Sequence, residues 1–182
     1  MKNFAFLGNI DAQPLLKELE EHPELWDQNN LRTCNLMHVA DGISDIWGRF
    51  PDYKKHITNI MGMLDDLECI DYPAMQVLKT LQPILDEVML RTKGKELNRV
   101  LITSMAPEGR IYPHTDAGEF ARVFERFHVV LQSDEGNIFR TEGEFVHMKP
   151  NEFWWFNNLN EHELYNGSKR ARIHLVLDIK GE

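Results

Sequence analysis

The sequence predicts a mainly β, α+β domain: a β-sandwich or jelly-roll barrel with helices laid over one outer face. Three observations predict it. From Leu97 onward, short runs of β-branched and aromatic residues recur at near-even spacing, separated by Gly, Pro and Asn turns. Two of those runs, RFHVVLQ and RIHLVLD, alternate polar and apolar residues with the period of a strand. Before Leu97, apolar residues recur at helical spacing in two places. A chain of 182 residues suffices for one domain with a sizeable core, and no repeat, low-complexity tract or linker divides it. Residues 1–182 therefore read as a single domain, with 1–96 a mostly helical support and 97–182 the β core.

Taken in order, Asp11 is placed to cap a helix through Leu15, Leu16 and Leu19 that ends near His22-Pro23. Residues 34–50, CNLMHVADGISDIWGRF, read as extended pieces. Pro73 opens a second helix, with Leu78, Leu81, Leu85 and Val88 on one side, which runs to Lys93-Gly94. Pro83 inside it predicts a kink. The strands follow as RVLITSM, RIYPHTD, RFHVVLQ, IFR, FVHM, FWWF, HELY and RIHLVLD, with PEG, SDEGN, EGE, KPNE and NGSK as turns.

Composition narrows the function classes. Apolar residues make up 42% and charged residues 27%, as in ordinary soluble globular proteins. The formal net charge of −9 disfavours a nucleic-acid partner, because it repels phosphate. Cys34 and Cys69 lack metal-type spacing, so a disulfide framework is not expected and a reducing, cytoplasmic setting is. The apolar run in MKNFAFLGNID stops at Asn9, too short for a signal sequence, and no stretch is long enough to cross a membrane.

The segment YPHTDAGEF, residues 112–120, carries the chemistry. In a strand, residues i and i+2 face one side, so His114 and Asp116 can offer a nitrogen and an oxygen to one ion. With eight His and twelve Asp, chance alone supplies about half a His-x-Asp, so the pair needs companions. The plain alternative is a solvated turn. His162, after FWWF and an Asn-rich turn, is the first companion. Two His and one carboxylate on one face of an ion leave open positions, which suits non-haem Fe(II), although Zn²⁺ takes the same ligands. The arginines are the second. Alternation puts Arg126 and His128 opposite Phe127, Val129 and Leu131, and Arg172 and His174 opposite Ile173, Leu175 and Leu177. Either the Arg-His faces meet water, or they line a cavity. An inward Arg is costly unless an anion meets it, and it matches a carboxylate with two parallel hydrogen bonds. A small di-acid chelating the ion would satisfy both.

Residues Ile102 to Asp178 resemble the aspartyl/asparaginyl β-hydroxylase family of Fe(II)/2-oxoglutarate oxygenases. The matching pieces are Met105-x-Pro107, Tyr112-Pro113-His114-x-Asp116, Arg126-x-His128, Trp154-x-Phe156-x-Asn158, His162-Glu163 and Arg172-Ile173-His174. The Arg ten residues past the distal His is the most specific element. The segment Ser44-Asp45-Ile46-Trp47-x-Arg49 matches more loosely. The resemblance implies a double-stranded β-helix, the cupin-like jelly roll, with iron at one end. It implies His114, Asp116 and His162 as iron ligands. It gives Arg172, helped by Thr103, to the distal carboxylate of 2-oxoglutarate, and Arg126 and His128 to the end that chelates iron. Some relatives lack the carboxylate ligand; this sequence has it.

The implied reaction hydroxylates an unactivated C–H while 2-oxoglutarate and O2 become succinate and CO2. The family acts on peptidyl Asp or Asn, and relatives act on amino acids such as proline. A small-molecule or peptide substrate of amino-acid type is therefore expected. No counterpart of the animal enzymes' membrane anchor or helical repeats is visible, which points away from secretory-pathway peptides. Arg122, Arg110, Arg49 and His38 are candidates for a substrate carboxylate, Phe120 to Phe124 for a covering loop, and Trp154, Trp155 and Phe156 for shielding or core. The competing reading is a cupin-type metal or ligand-binding module without oxygenase chemistry. A nucleic-acid demethylase on the same fold is disfavoured by charge.

Overall fold

The computed structural model describes residues 2–29, 31 and 40–181. Among the described residues the strands join in one ten-stranded sheet, and every pairing is antiparallel. Its spine is β4 (Glu96–His114). The first half of β4 bonds β10 (Arg172–Lys180) on one side and β2 (Ala40–Pro51) on the other. The second half bonds β9 (His162–Asn166). The PEG turn expected between RVLITSM and RIYPHTD is a bend within one strand. β2 pairs with both halves, from Ala40 opposite Ile111 to Ile46 opposite Ile102, and so carries the ladder across it. Glu108, at φ 60°, takes up the change of direction.

On one side of β4 the order continues through β10 to β5 (Glu125–Gln132), β8 (Glu152–Phe156) and β1 (Phe4–Asn9). On the other it continues through β9 to β6 (Asn137–Thr141) and β7 (Glu144–Val146). The two wings face each other. Phe4 and Phe156 of the first meet Phe139 of the second at ring-centroid distances of 5.2 and 4.6 Å. The sheet is thus curled into a half-barrel, the jelly-roll form that the strand pattern predicts.

Period-two alternation sorts the strand residues. Phe127, Val129 and Leu131 of β5 and Leu175 and Leu177 of β10 face outward and are buried. They pack on Leu15 and Leu19 of α1 (Gln13–Glu21) and on Ile84, Leu85 and Val88 of α3 (Leu81–Thr92). Each such side chain contributes ~1.5–3 kcal/mol by leaving water. This outer layer fixes the strand register, so the polar partners Arg126, His128, Arg172 and His174 are forced into the barrel.

Beside its helices the part before Leu97 carries β1, β2 and β3 (Cys69–Asp71), and β1 and β2 are stitched to the core strands. Within it, local expectations are corrected. Ala40–Pro51 is one strand, whereas Cys34, His38 and the rest of 34–39 lie outside the described residues. The second helix is two pieces, α2 (Ala74–Val77) and α3, separated where Leu78 turns extended at ψ 94°. Pro83 does not kink a helix interior; it is the third residue of α3, where no intrahelical N–H is missed. Glu18 of α1 accepts hydrogen bonds from the N–H groups of Lys79 and Thr80 at 2.8 and 2.9 Å and so covers that helix start. The first helix ends at Glu21 with His22 as its C-cap, near the expected place; its N-cap is Ala12 rather than Asp11, which sits one residue earlier and accepts from the Gln13 N–H at 3.1 Å. Among the described residues no helix is long and apolar enough to cross a membrane.

Candidate metal centre and its cavity

β4 ends at His114 and β9 begins at His162, and the two residues are paired in register. Asp116 follows two residues later, and its N–H lies 3.3 Å from the Asn158 carbonyl. The ligand atoms of His114, Asp116 and His162 all lie within 4.8 Å of one another. Each histidine Nδ1 sits 2.8 Å from a backbone carbonyl, Tyr112 for His114 and Asn160 for His162. A carbonyl only accepts, so both Nδ1 atoms carry the proton and both Nε2 atoms keep a lone pair. His114 Nε2 and Asp116 Oδ1 are 3.7 Å apart, wider than a hydrogen bond and close enough to share an ion. Two nitrogens and one oxygen thus converge from one side. Burial pushes the His162 pKa down to about 4, against the pull of Asp116, so His162 is neutral at physiological pH.

Asp116 is held from behind. Its Oδ2 accepts from Arg126 Nη1, and Asn158 Nδ2 lies 3.4 Å away. Burial alone would raise its pKa; the Arg126 charge leads the interactions that hold it well below the usual carboxylate range. Arg126 also forks onto Asp178, with Nε to Oδ1 at 2.7 Å and Nη2 to Oδ2 at 2.9 Å. Three of its five N–H groups are therefore committed to carboxylates of this chain.

Arg172 is the opposite case. It is 3% exposed, and among the described residues no carboxylate pairs with it. Burial pushes its pKa down to about 9. Its Nη2 donates to His174 Nδ1 at 3.1 Å, and His128 Nδ1 lies 3.3 Å from the same nitrogen. His174 Nδ1 is thus an acceptor and His128 Nδ1 a donor, which leaves His128 Nε2 buried without a partner. Thr103 faces inward on β4 opposite His174.

His114, Asp116, His162, Thr103, Arg126, His128 and Arg172 all line one cavity of about 140 Å³. The other candidates divide. Of the FWWF aromatics, Phe156 lines the cavity, with its ring 5.0 Å from that of His162. Trp154 packs on Phe6, and Trp155 lies against the helical layer. Phe120 to Phe124 is mostly the short helix α4 (Glu119–Val123); Phe120 reaches the cavity and Phe124 packs beside it in a small cluster. Arg122 pairs with Glu119 at the surface, Arg110 stacks near Tyr112 and Tyr165, and Arg49 pairs with Asp71. None of these three lines the cavity.

Two residues at the site were not singled out from the sequence. Asp178 follows Arg172 and His174 on the inward face of β10, and Arg99 precedes Thr103 on the inward face of β4. The same period-two alternation points to both. Gly118, just after Asp116, has φ 90°, and a Cβ there would lie 2.2 Å from the Leu64 backbone oxygen. Gly118→Ala is expected to cost about 2 kcal/mol or more and to lower the melting temperature by about 4–8 °C. An unchanged melt would contradict that strain.

A model of the aspartyl/asparaginyl β-hydroxylase family matches residues 17–181. The chain belongs to that family. Among curated proteins, an L-proline cis-4-hydroxylase of Rhizobium meliloti (strain 1021) is similar, with 30% identity over 79 residues. That alignment spans 43% of this family member and 28% of the relative. Among solved structures, a prolyl hydroxylase from Trichoplax adhaerens, in complex with a hypoxia-inducible-factor degradation-domain peptide, superimposes with a TM-score of 0.59 at 12% identity. The match covers 98% of this chain and 83% of that one. A 2OG-Fe(II) oxygenase-family oxidoreductase from Burkholderia pseudomallei gives 0.54 at 13% identity, over 91% and 89%. At these identities the two structures show the shared fold.

Proposed function

We propose that this protein is an Fe(II)- and 2-oxoglutarate-dependent dioxygenase that hydroxylates an unactivated C–H of an amino acid, or of an amino-acid residue in a peptide. One observation carries the reading: a pre-oriented His-Asp-His set opens onto the same cavity as a buried guanidinium that lacks a carboxylate partner among the described residues. The donor set fits Fe(II), since both imidazoles present a lone pair and the carboxylate is ionised. The cavity fits a di-acid, because Arg172 at a dry site matches a carboxylate with two parallel bonds.

Bound iron with 2-oxoglutarate and O2 would supply the oxidation, releasing succinate and CO2 as one oxygen atom enters the substrate. The chain's share is positioning and dryness. His114, Asp116 and His162 hold the metal. Arg126 fixes the Asp116 carboxylate and keeps two N–H groups for the chelating end of 2-oxoglutarate, beside His128 Nε2. Arg172 and Thr103 take the distal carboxylate. Phe156 and Phe120 wall the cavity with apolar surface. The proline hydroxylase relative supports an amino-acid substrate class, although this chain matches only 28% of its length.

The test is aerobic turnover. Purified protein with Fe(II) and 2-oxoglutarate is expected to release succinate, more of it with the right amino acid or peptide, and none when iron is replaced by Zn²⁺. Tight metal and carboxylate binding with no succinate under any condition would favour a cupin-type binding module instead.

A further inference from the structure

Arg99 is the second buried arginine at this cavity whose charge has no carboxylate partner among the described residues. It is 3% exposed, and the β4 alternation points it inward with Leu101 and Thr103. Arg99 and Thr103 are four residues apart, about 13 Å along the strand. Its guanidinium carbon lies 3.3 Å from the Phe120 ring centroid and 4.8 Å from that of Phe50, so aromatic rings cover it. Only in-plane N–H groups remain to bond. Nη2 donates to the Met63 carbonyl at 2.8 Å, and Nε is buried with no partner among the described residues. Asp178 supports the Arg99 charge from a distance but is forked onto Arg126, and no hydrogen bond or ion pair joins it to Arg99 among the described residues. Phe120 also lies 5.5 Å from the Arg126 guanidinium, which places Arg99 one ring away from the group that grips Asp116.

Charge counting gives the same result. Three guanidiniums, those of the buried Arg99 and Arg172 and the half-buried Arg126, face two carboxylates, Asp116 and Asp178, among the described residues, which leaves one surplus positive charge. A divalent ion would add two, and doubly negative 2-oxoglutarate would remove two. One surplus charge then remains, and a buried charge is costly until an anion meets it.

We infer that Arg99 is the anion-recognition point for the substrate, which therefore carries a carboxylate that lies flat against this arginine while the C–H to be hydroxylated faces the metal. This rests on the oxygenase reading and adds the substrate's charge to it. The carboxylate is either the α-carboxylate of an amino acid or the side chain of a peptidyl Asp, and the two are separable. Full-length protein loaded anaerobically with Fe(II) and 2-oxoglutarate is titrated calorimetrically with the twenty L-amino acids, with their C-terminal amides, and with end-blocked tripeptides centred on Asp or Asn.

At least one carboxylate probe is expected to bind about 30- to 100-fold more tightly than its uncharged counterpart. In Arg99→Gln that gap closes while 2-oxoglutarate affinity stays within about twofold, and Arg99→Lys restores part of it. A merely structural arginine would alter the melting temperature and leave the gap intact. Equal binding of acid and amide by the wild type, or binding of none of the probes, overturns the inference without needing any variant to fold. Acid-selective binding without succinate release would sink the oxygenase reading and leave Arg99 standing. Succinate release driven equally by amides would do the reverse.

Discussion

Replacing Arg172 by leucine is expected to weaken 2-oxoglutarate binding at least 100-fold while raising the melting temperature of the metal-free protein. The two effects share one cause. In the protein alone, Arg172 is a buried cation with a neutral histidine as its polar contact and no carboxylate partner among the described residues. An apolar side chain of similar bulk relieves that cost. In the proposed complex the same cation would make two charge-assisted hydrogen bonds to the co-substrate carboxylate. Losing them costs ~3–5 kcal/mol, or roughly two to three and a half powers of ten in affinity. Titration of 2-oxoglutarate into variant and wild type, together with a thermal melt of each, checks both halves. Equal affinity would remove Arg172 from the co-substrate site. A large fall in melting temperature would show that its role is structural.

Arg126→Met is expected to act in the opposite sense on stability. Arg126 is the cation that pairs with two carboxylates, the half-buried Asp116 and the buried Asp178. Its removal strands both, at ~3–5 kcal/mol for breaking a buried pair. For a chain of this size that lowers the melting temperature by about 10 °C at neutral pH. The pH dependence follows with its sign. In the wild type, Asp116 has a folded-state pKa below its unfolded value. Its contribution is therefore complete at neutral pH and is lost only as pH falls below about 4, through the folded pKa. In the variant, burial acts unopposed by Arg126 and lifts the carboxyl pKa. The deficit against wild type should then shrink as pH is lowered from 7 towards 4. Melts of metal-free protein across that range test this, and a deficit that grows on acidification would contradict it.

The β core was legible from Leu97 onward because each strand carries its own period-two signal and each turn its own Gly, Pro or Asn. The inward arginines were legible for the same reason: RFHVVLQ and RIHLVLD put a cation on one side and three apolar residues on the other. What local pattern could not show was pairing. Whether the Arg-His faces met water or a cavity depended on a second wing, β9-β6-β7, folding over them. β1 was missed because it is a terminal strand of the sheet with Phe6 and Leu7 exposed, which blurs the alternation. The break before α3 was missed because the cover for its first N–H groups comes from Glu18, sixty-two residues before Thr80. The resemblance gives Arg126 to the co-substrate; the structure forks it onto Asp178 as well, a residue four positions past His174, the last motif residue on that strand. Arg99 needed only the alternation already applied to its neighbours.

The central claim is that His114, Asp116 and His162 hold one iron beside a bound dicarboxylate. Anaerobic addition of Fe(II) and then 2-oxoglutarate tests it through the visible metal-to-ligand absorption of a chelated 2-oxo acid. The expected result is a band that saturates at one iron per chain and is absent from His162→Ala. A wild-type protein that gives no band, or a His162→Ala variant that gives the same band at the same affinity, would contradict the account.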